Sequence, residues 1–480
     1  MSNVERKPST LVALLAFLIL VGIILYGTAI LKIGAILPLV LATIIACLFA
    51  AGSGYSWEEL EKGMIDSISR VMVAILILIA VGMLIGVWIL AGTIPTIVYW
   101  GLTLISPTTF LMTAFLLCVV ASTATGTSFG TMGTVGVALL GVGQALGYPL
   151  PMVVGAIVSG AYFGDKMSPV SDSTNITASV CEVPLFPHIA SMMWTTIPAA
   201  VVSALIYLFL GMSNTPEASA SGNIPLILQA ISGKFNTSWL TLLPPVLLMV
   251  LAYRRYPAIP LLMVCVAAGA IAAWLLQGAA LKEILGSMMA GYKSTTGLKQ
   301  VDVLLSRGGI SSIMGTLVLL ITGVAFGGVL EKMRALEVLI EAALRWAHNT
   351  GRLIVSVVVS CYIILLGTGS QMVAVIIPAR AFAQTFKDRG INLRVLSRTC
   401  EDAGTIGCPL IPWSVHAFYI LGILGVSAYE YAPYAILNWI IPLFSIAYGY
   451  TGFAIWRTDG TSFRNKKEVN VEEKQKASVS

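Results

Sequence analysis

The sequence predicts an all-α polytopic membrane protein folded as two inverted repeats, each with a re-entrant hairpin and a broken transmembrane helix. Three observations carry that expectation. The 480 residues are 57% hydrophobic and only 10% charged, against about 25% charged in ordinary soluble domains; mean hydropathy is +0.91. Two polar stretches, Gly164–Asn175 and Arg398–Ser414, interrupt otherwise apolar runs. Basic residues of the second half gather in loops that orient the chain.

Runs such as Leu11–Ile30 and Val71–Leu90 are long enough to cross a membrane, which takes about 20 residues for a hydrocarbon core of ~30 Å. The net charge of +6 reads as cytoplasmic loops and tail, with no call on nucleic acid. Arg6 and Lys7 precede an apolar run that lacks a small-residue cleavage site, so that run is expected as the first transmembrane helix. Seven cysteines sit singly, mostly in apolar segments, with no C-x-x-C pair. Neither a disulfide framework, a zinc site nor any other cofactor is expected. Cys400 and Cys408 flank the second break and read as buried packing.

In chain order, residues 1–211 form the first repeat, with spans 10–30, 34–51 and 71–92 and an amphipathic connector at Trp57–Arg70. A hairpin at 108–146 turns through Gly126–Thr131, a broken helix covers 150–182, and span 188–211 closes the half. Residues 212–237, rich in Ser, Asn, Gly and Pro, read as a linker. The second repeat, 238–456, has spans 238–253, 257–277 and 309–331, then a charged amphipathic helix near Glu331–Arg352. A hairpin at 352–386 turns at Gly367–Gln371, a broken helix covers 395–424, and span 431–456 follows. The charged tail 457–480 is expected to be disordered.

One offset links the halves. Gly82 with Gly323, Gly86 with Gly327, Gly126 with Gly367 and Ser173 with Ser414 all lie 241 apart (323 − 82, 327 − 86, 367 − 126, 414 − 173). If the hairpins enter and leave on one side, each half crosses five times and the halves are inverted. With the N-terminus cytoplasmic, Arg254, Arg255, Lys332, Arg334, Arg345, Arg352, Lys387, Arg389, Arg394, Arg398 and the basic tail then lie inside. Arms that spanned fully would place nearly all of these outside, so the positive-inside bias favours hairpins and inversion.

Inverted repeats with broken helices and polar groups at mid-membrane point to a secondary transporter. Residues 150–163 would climb ~21 Å as a helix, which puts Asp165 and Asp172 inside the bilayer. Intramembrane carboxylates are costly unless they hold a cation, a proton or a basic partner. Hard cations want several oxygens. Asp172, Ser173, Thr174 and Asn175 are the expected Na⁺ ligands, with Ser171 beside them and Thr125, Thr127 and Ser128 closing from the hairpin tip. A buried acid is also protonated more readily, and a bound cation expels that proton. One site occupied by Na⁺ or H⁺ in turn is enough for exchange. Asp172 is favoured as ligand and Asp165 as proton carrier, with the roles interchangeable.

The second break offers Glu401 and Asp402, placed comparably to Asp165, with Thr405 and Ser414, and its hairpin tip offers Thr368 and Ser370. Either acid could carry the proton, or Arg398 could neutralise one of them. Against these stand plainer readings. Asp165 beside Lys166 could be a structural ion pair, and the Gly126–Thr131 tip could serve close helix packing. His188 and His348 read as interfacial, and His416 as a satisfied polar residue. No paired nucleophile and base and no H-E-x-x-H motif supports an enzyme, and two closable half-sites favour alternating access over a channel.

The segments GTSFGTMGTVGVALLGVGQALGYPLP (126–151) and GAIVSGAYFGDKMSPVSDSTNITASV (155–180) resemble the characteristic blocks of the NhaC family of Na⁺/H⁺ antiporters. ILAGTIPTIVYWGLTLISP (89–107) and WTTIPA (194–199) also fit, and the second half fits more loosely through GTGSQMVAVIIPAR (367–380) and EDAGTIGCPLIPWS (401–414). The resemblance implies Na⁺/H⁺ exchange at the cytoplasmic membrane of a prokaryote, with both termini cytoplasmic. It also implies an elevator-type cycle, often in a homodimer. Members of the family also exchange organic acids, malate against lactate, or amino acids, coupled to Na⁺ or H⁺. Such an anion would need a cationic anchor, for which Lys166, Arg380 and Arg398 are the candidates.

Overall fold

A computed structural model describes residues 8–214, 224–254 and 256–462. Arg6, Lys7, Arg255, the linker positions 215–223 and the tail positions 463–480 lie outside the described residues. All regular elements described are helical, with two isolated β-bridges near the C-terminus. Among the described residues, seven helices are long and apolar enough to cross a membrane, or up to ten if three bent pairs each count as one span.

The first half opens with α1 (Thr10–Leu25), α2 (Ile36–Gly52), the connector α3 (Trp57–Arg70) and α4 (Met72–Leu90). Ser56 starts α3 with a capping box. Its hydroxyl accepts from the Glu59 N–H at 3.3 Å, and the Glu59 carboxylate accepts from the Ser56 N–H at 2.8 Å. At the other end Arg70 donates to Glu331 at 2.9 Å, tying the connector to the second half. A short helix that the sequence reading did not resolve, α5 (Thr93–Leu104), follows.

The first hairpin consists of α6 (Phe110–Thr125), the turn α7 (Ser128–Thr131), and α8 (Val137–Ala145) reached through a π turn. Gly126 ends α6 at φ 70°, a conformation glycine adopts without penalty. The broken helix is α9 (Leu150–Met167) followed by α10 (Asp172–Val180), and α11 (Leu185–Ser213) closes the half. The break is shorter than the sequence suggested. Pro169 sits in it, but Gly164 is helical, and a Cβ there would run into the Ser122–Thr123 backbone of α6. Gly164 therefore serves close helix packing, with Gly160 one turn earlier against Phe115 and Cys118.

The stretch read as a linker holds a helix, α12 (Ile224–Lys234), whose Ile227 and Ile231 are buried. Its apolar positions recur at helical spacing, a pattern the Ser- and Gly-rich flanks obscure. Next come α13 (Leu243–Tyr253), α14 (Ala258–Gln277), the short α15 (Leu281–Ala290) and α16 (Lys299–Leu305), α17 (Ile310–Lys332) and the amphipathic α18 (Ala335–Trp346). The second hairpin is α19 (Thr350–Thr368) and α20 (Gln371–Asp388). Its arms of 19 and 18 residues are longer than expected, about 28 Å at 1.5 Å per residue. The second broken helix is α21 (Leu393–Cys400), a π turn at Glu401–Thr405, and α22 (Val415–Leu424) after the bend. A short α23 (Ala428–Tyr431) and α24 (Ile436–Thr451) finish the membrane part. Residues 457–462, expected in a disordered tail, instead fold back: Arg457 bridges Ile391, and Trp456 bridges Ser462.

Candidate functional site

The first break is built locally. Ser168 precedes Pro169 and is held extended, at ψ 131°, as the residue before a proline prefers. That leaves the last carbonyls of α9 without helical partners. The Thr174 hydroxyl donates to the carbonyls of Asp165 (3.2 Å) and Lys166 (2.9 Å). Asn175 donates to those of Pro169 (2.9 Å) and Ser171 (2.7 Å). Two of the expected Na⁺ ligands thus brace the backbone.

Asp165 lies at the end of α9, 8% exposed. One carboxylate oxygen accepts from the Ser128 hydroxyl at 2.6 Å and the other from Ser171 at 2.8 Å, with Ser173 3.2 Å beyond Ser171. The hairpin tip and the helix break therefore meet on this carboxylate. Asp172 and Asn175 are exposed, while Ser173 and Thr174 are buried. Successive helical residues point about 100° apart, so four in a row fan around the axis. The set Asp172, Ser173, Thr174 and Asn175 does not converge on one point; the oxygens drawn together are those of Ser128, Asp165, Ser171 and Ser173. Thr125 lies 3.2 Å from Thr131, and Thr127 accepts from the Gly130 N–H at 3.4 Å, so both are engaged within the tip.

Lys166 turns away from its neighbour Asp165, as adjacent helical residues do. It donates to Asp402 in the second half, and to Thr196 at 2.7 Å; Thr195 also donates to Asp402, at 3.0 Å. The plainer reading of an Asp165–Lys166 pair is replaced by this one. Arg398 is fully buried, its Nε 3.9 Å from the other Asp402 oxygen, and its Nη1 donates to the Ala454 carbonyl at 2.9 Å. Glu401 accepts from Thr177 at 2.6 Å through Oε1. Glu401 Oε2 and Asp402 Oδ2 are buried without a hydrogen-bond partner.

The remaining expected residues are placed as follows. Gln371 donates to Thr405 at 3.1 Å, and Ser414 donates to the Cys408 carbonyl at 2.7 Å while capping α22. Thr368 donates to the Ile364 carbonyl at 2.8 Å and accepts from the Ser370 N–H at 3.2 Å. Arg380 is exposed on α20. The glycines with positive φ at the two tips, Gly126 and Gly369, and the serines that start the helices after the two breaks, Ser171 and Ser414, are each 243 apart (369 − 126, 414 − 171). In that register Cys408 stands where Asp165 does, and Glu401 and Asp402 fall opposite Val158 and Ser159.

Several partners escaped the sequence reading. Thr177, Thr195 and Thr196 are hydroxyls on helices; they fall within the blocks 155–180 and 194–199, but nothing in the residues names their partners. Tyr162, one turn before Asp165, bonds His416 Nδ1, and the His416 ring lies 4.6 Å from Phe129 of the tip. Tyr419 donates to the Phe129 carbonyl at 2.7 Å. His188, read as interfacial, is fully buried, its Nδ1 2.8 Å from the Ser397 hydroxyl.

Residues 160–453 match the model of the Na⁺/H⁺ antiporter family. The chain is 36% identical over 464 residues to the Na⁺/H⁺ antiporter NhaC of Alkalihalophilus pseudofirmus, covering 96% of this chain and 100% of that one. It is 33% identical over 462 residues to the malate-2H⁺/Na⁺-lactate antiporter of Bacillus subtilis (96% and 99% covered). It is 34% identical over 465 residues to the arginine/ornithine antiporter ArcD of Halobacterium salinarum (95% and 94% covered).

Proposed function

This chain belongs to the Na⁺/H⁺ antiporter family, and from that premise we propose that it exchanges Na⁺ for H⁺ through the buried polar cluster at its two helix breaks. One observation carries the reading. Three buried carboxylates (Asp165, Glu401, Asp402) and two buried cations (Lys166, Arg398) lie at the two helix breaks, with both cations on Asp402. With all five ionised the cluster keeps one negative charge, which a single Na⁺ or a single proton neutralises. Burying that charge uncompensated is costly, so the cluster favours having one of the two ions at a time. Glu401 Oε2 and Asp402 Oδ2, which lack hydrogen-bond partners, and the Asp165–Ser128–Ser171 group supply the oxygens.

On the same reading the halves 1–211 and 238–456 are inverted repeats with re-entrant hairpins, and the transport part moves as an elevator, in a homodimer. Both termini face the cytoplasm of a prokaryotic cell. The charge bias of the second-half loops supports this orientation. The recurrence of tip glycine and break serine at one spacing supports the repeat.

A second reading keeps the fold and adds a small carboxylate or amino acid as solute, in line with the relatives named for malate, lactate, arginine and ornithine. Its anchor would be Lys166, a fully buried cation at the first break. Reconstitution in proteoliposomes with a trapped pH dye separates the two. Na⁺-driven proton flux without organic solute, lost in Asp165→Asn, supports the first reading. Flux only after malate, lactate or an amino acid is added supports the second.

A further inference from the structure

The C-terminal strap, Gly452–Ser462, lies against the same cluster from behind. Asn392, at the start of α21, donates its N–H to the Trp456 carbonyl at 2.9 Å, and Thr458 donates to the Gly390 carbonyl at 3.1 Å. The Trp456 ring carries the Arg394 guanidinium 4.1 Å from its centroid and that of Arg398 at 5.6 Å, while Trp194 meets Trp456 edge-on at 6.3 Å. Tyr448 of α24 offers Arg398 a second face at 6.0 Å.

Arg398 is short of partners for a fully buried guanidinium. Its Nη1 reaches Ala454, but Nε and Nη2 have no acceptor. Asp402 Oδ2, also without a hydrogen bond, stands 3.9 Å from that Nε. Two complementary buried groups form an ion pair but stop about 0.7 Å beyond hydrogen-bond range. In a site of low polarity such a pair closes unless something holds it apart. The strap is what holds it: a carbonyl hydrogen bond at one end of the guanidinium and an aromatic face beside it.

We propose that Trp456 is a positioning residue for exchange: through Arg398 the strap keeps a cation from closing onto Asp402, and so sets how tightly the cluster binds Na⁺. The proposal rests on the assignment of the cluster as the exchange site. Loosening the strap lets Arg398 Nε reach Asp402 Oδ2, which spends the carboxylate's charge internally and leaves less for the transported ion. Among the described residues no hydrogen bond or ion pair joins the strap to an acid of the cluster, so the maximal rate, set by the moving elements, stays near that of the wild type.

The test is Na⁺-driven proton flux of the full chain in proteoliposomes, read as half-saturating Na⁺ and maximal rate separately. Trp456→Ala raises half-saturating Na⁺ by about fivefold, the scale of one partly exposed cation–π contact, with maximal rate within about twofold. Trp456→Phe, which keeps a ring, restores most of the affinity. In an Arg398→Gln background, Trp456→Ala adds nothing further, since the effect passes through Arg398. If Trp456→Ala does not reach the membrane, Trp456→Leu gives the same reading. Unchanged or tighter Na⁺ saturation, a loss of rate alone, or an equal effect in the Arg398→Gln background overturns the proposal. Absence of flux in the wild type would instead overturn the exchange assignment itself.

Discussion

Gly126 and Gly369 stand 243 residues apart and do the same thing. Each ends the first arm of a hairpin in the left-handed region, at φ 70° and 63°, and each presses on the break of the broken helix in its own half. A Cβ on Gly126 would lie 3.0 Å from Val170 Cβ and 3.1 Å from Ser171 N; one on Gly369 would lie 2.9 Å from Trp413 O and 3.2 Å from Ser414 Cα. Tip and break are therefore one packed unit in both halves.

Alanine at either position adds a strained backbone and a close contact. Gly126→Ala and Gly369→Ala should each cost about 1–2 kcal/mol in stability, read as a lower midpoint of thermal unfolding in detergent. The two losses should be similar.

Ser128 joins the tip to Asp165 by a hydrogen bond to a carboxylate, a contact worth about 1.5–3 kcal/mol. Ser128→Ala should lower Na⁺-driven flux by about tenfold or more, while Ser128→Thr, which keeps the hydroxyl, retains most of it. Equal loss in both variants would point to packing instead.

The Lys166–Asp402 pair spans the two halves with both side chains fully buried. Removing one partner leaves the other charge uncompensated, which costs about 3–5 kcal/mol. Lys166→Met and Asp402→Leu should each destabilise the protein on that scale. The double variant should recover most of the loss while remaining inactive.

A bulkier residue at Gly164 meets the backbone of Ser122 and Thr123, which cannot yield as a side-chain tip would. Gly164→Val should cost about 3 kcal/mol or more, seen as aggregation on size-exclusion chromatography, whereas Ala124→Val, on the exposed face of α6, should have little effect.

Much of this was legible in the residues. The bounds of α3 follow from the amphipathic run Trp57–Arg70, and Pro169 marks the first break because it lacks an N–H and restricts Ser168. What sequence could not give was partnership across the halves. That Lys166 meets Asp402, and Thr177 meets Glu401, depends on how two broken helices cross. One error was avoidable: Asp165 and Lys166 are adjacent on a helix and so cannot face one another. The spacing of 241 pairs glycines by identity, whereas the glycines with positive φ at the two tips are 243 apart (369 − 126), and backbone conformation is not legible in residue names. The short helices α5, α12, α15 and α16 are not legible as spans because none is long enough alone to cross a membrane, and hydropathy weights length.

The central claim is that Na⁺ and H⁺ compete for one set of buried carboxylates. Its most direct test is proton release on adding Na⁺ to the detergent-solubilised protein in weakly buffered solution with no organic solute present. Wild-type protein should acidify the solution saturably, Asp165→Asn should not, and K⁺ at equal strength should do little. Sodium that binds without releasing protons, or proton release that survives in Asp165→Asn, Glu401→Gln and Asp402→Asn alike, would contradict it.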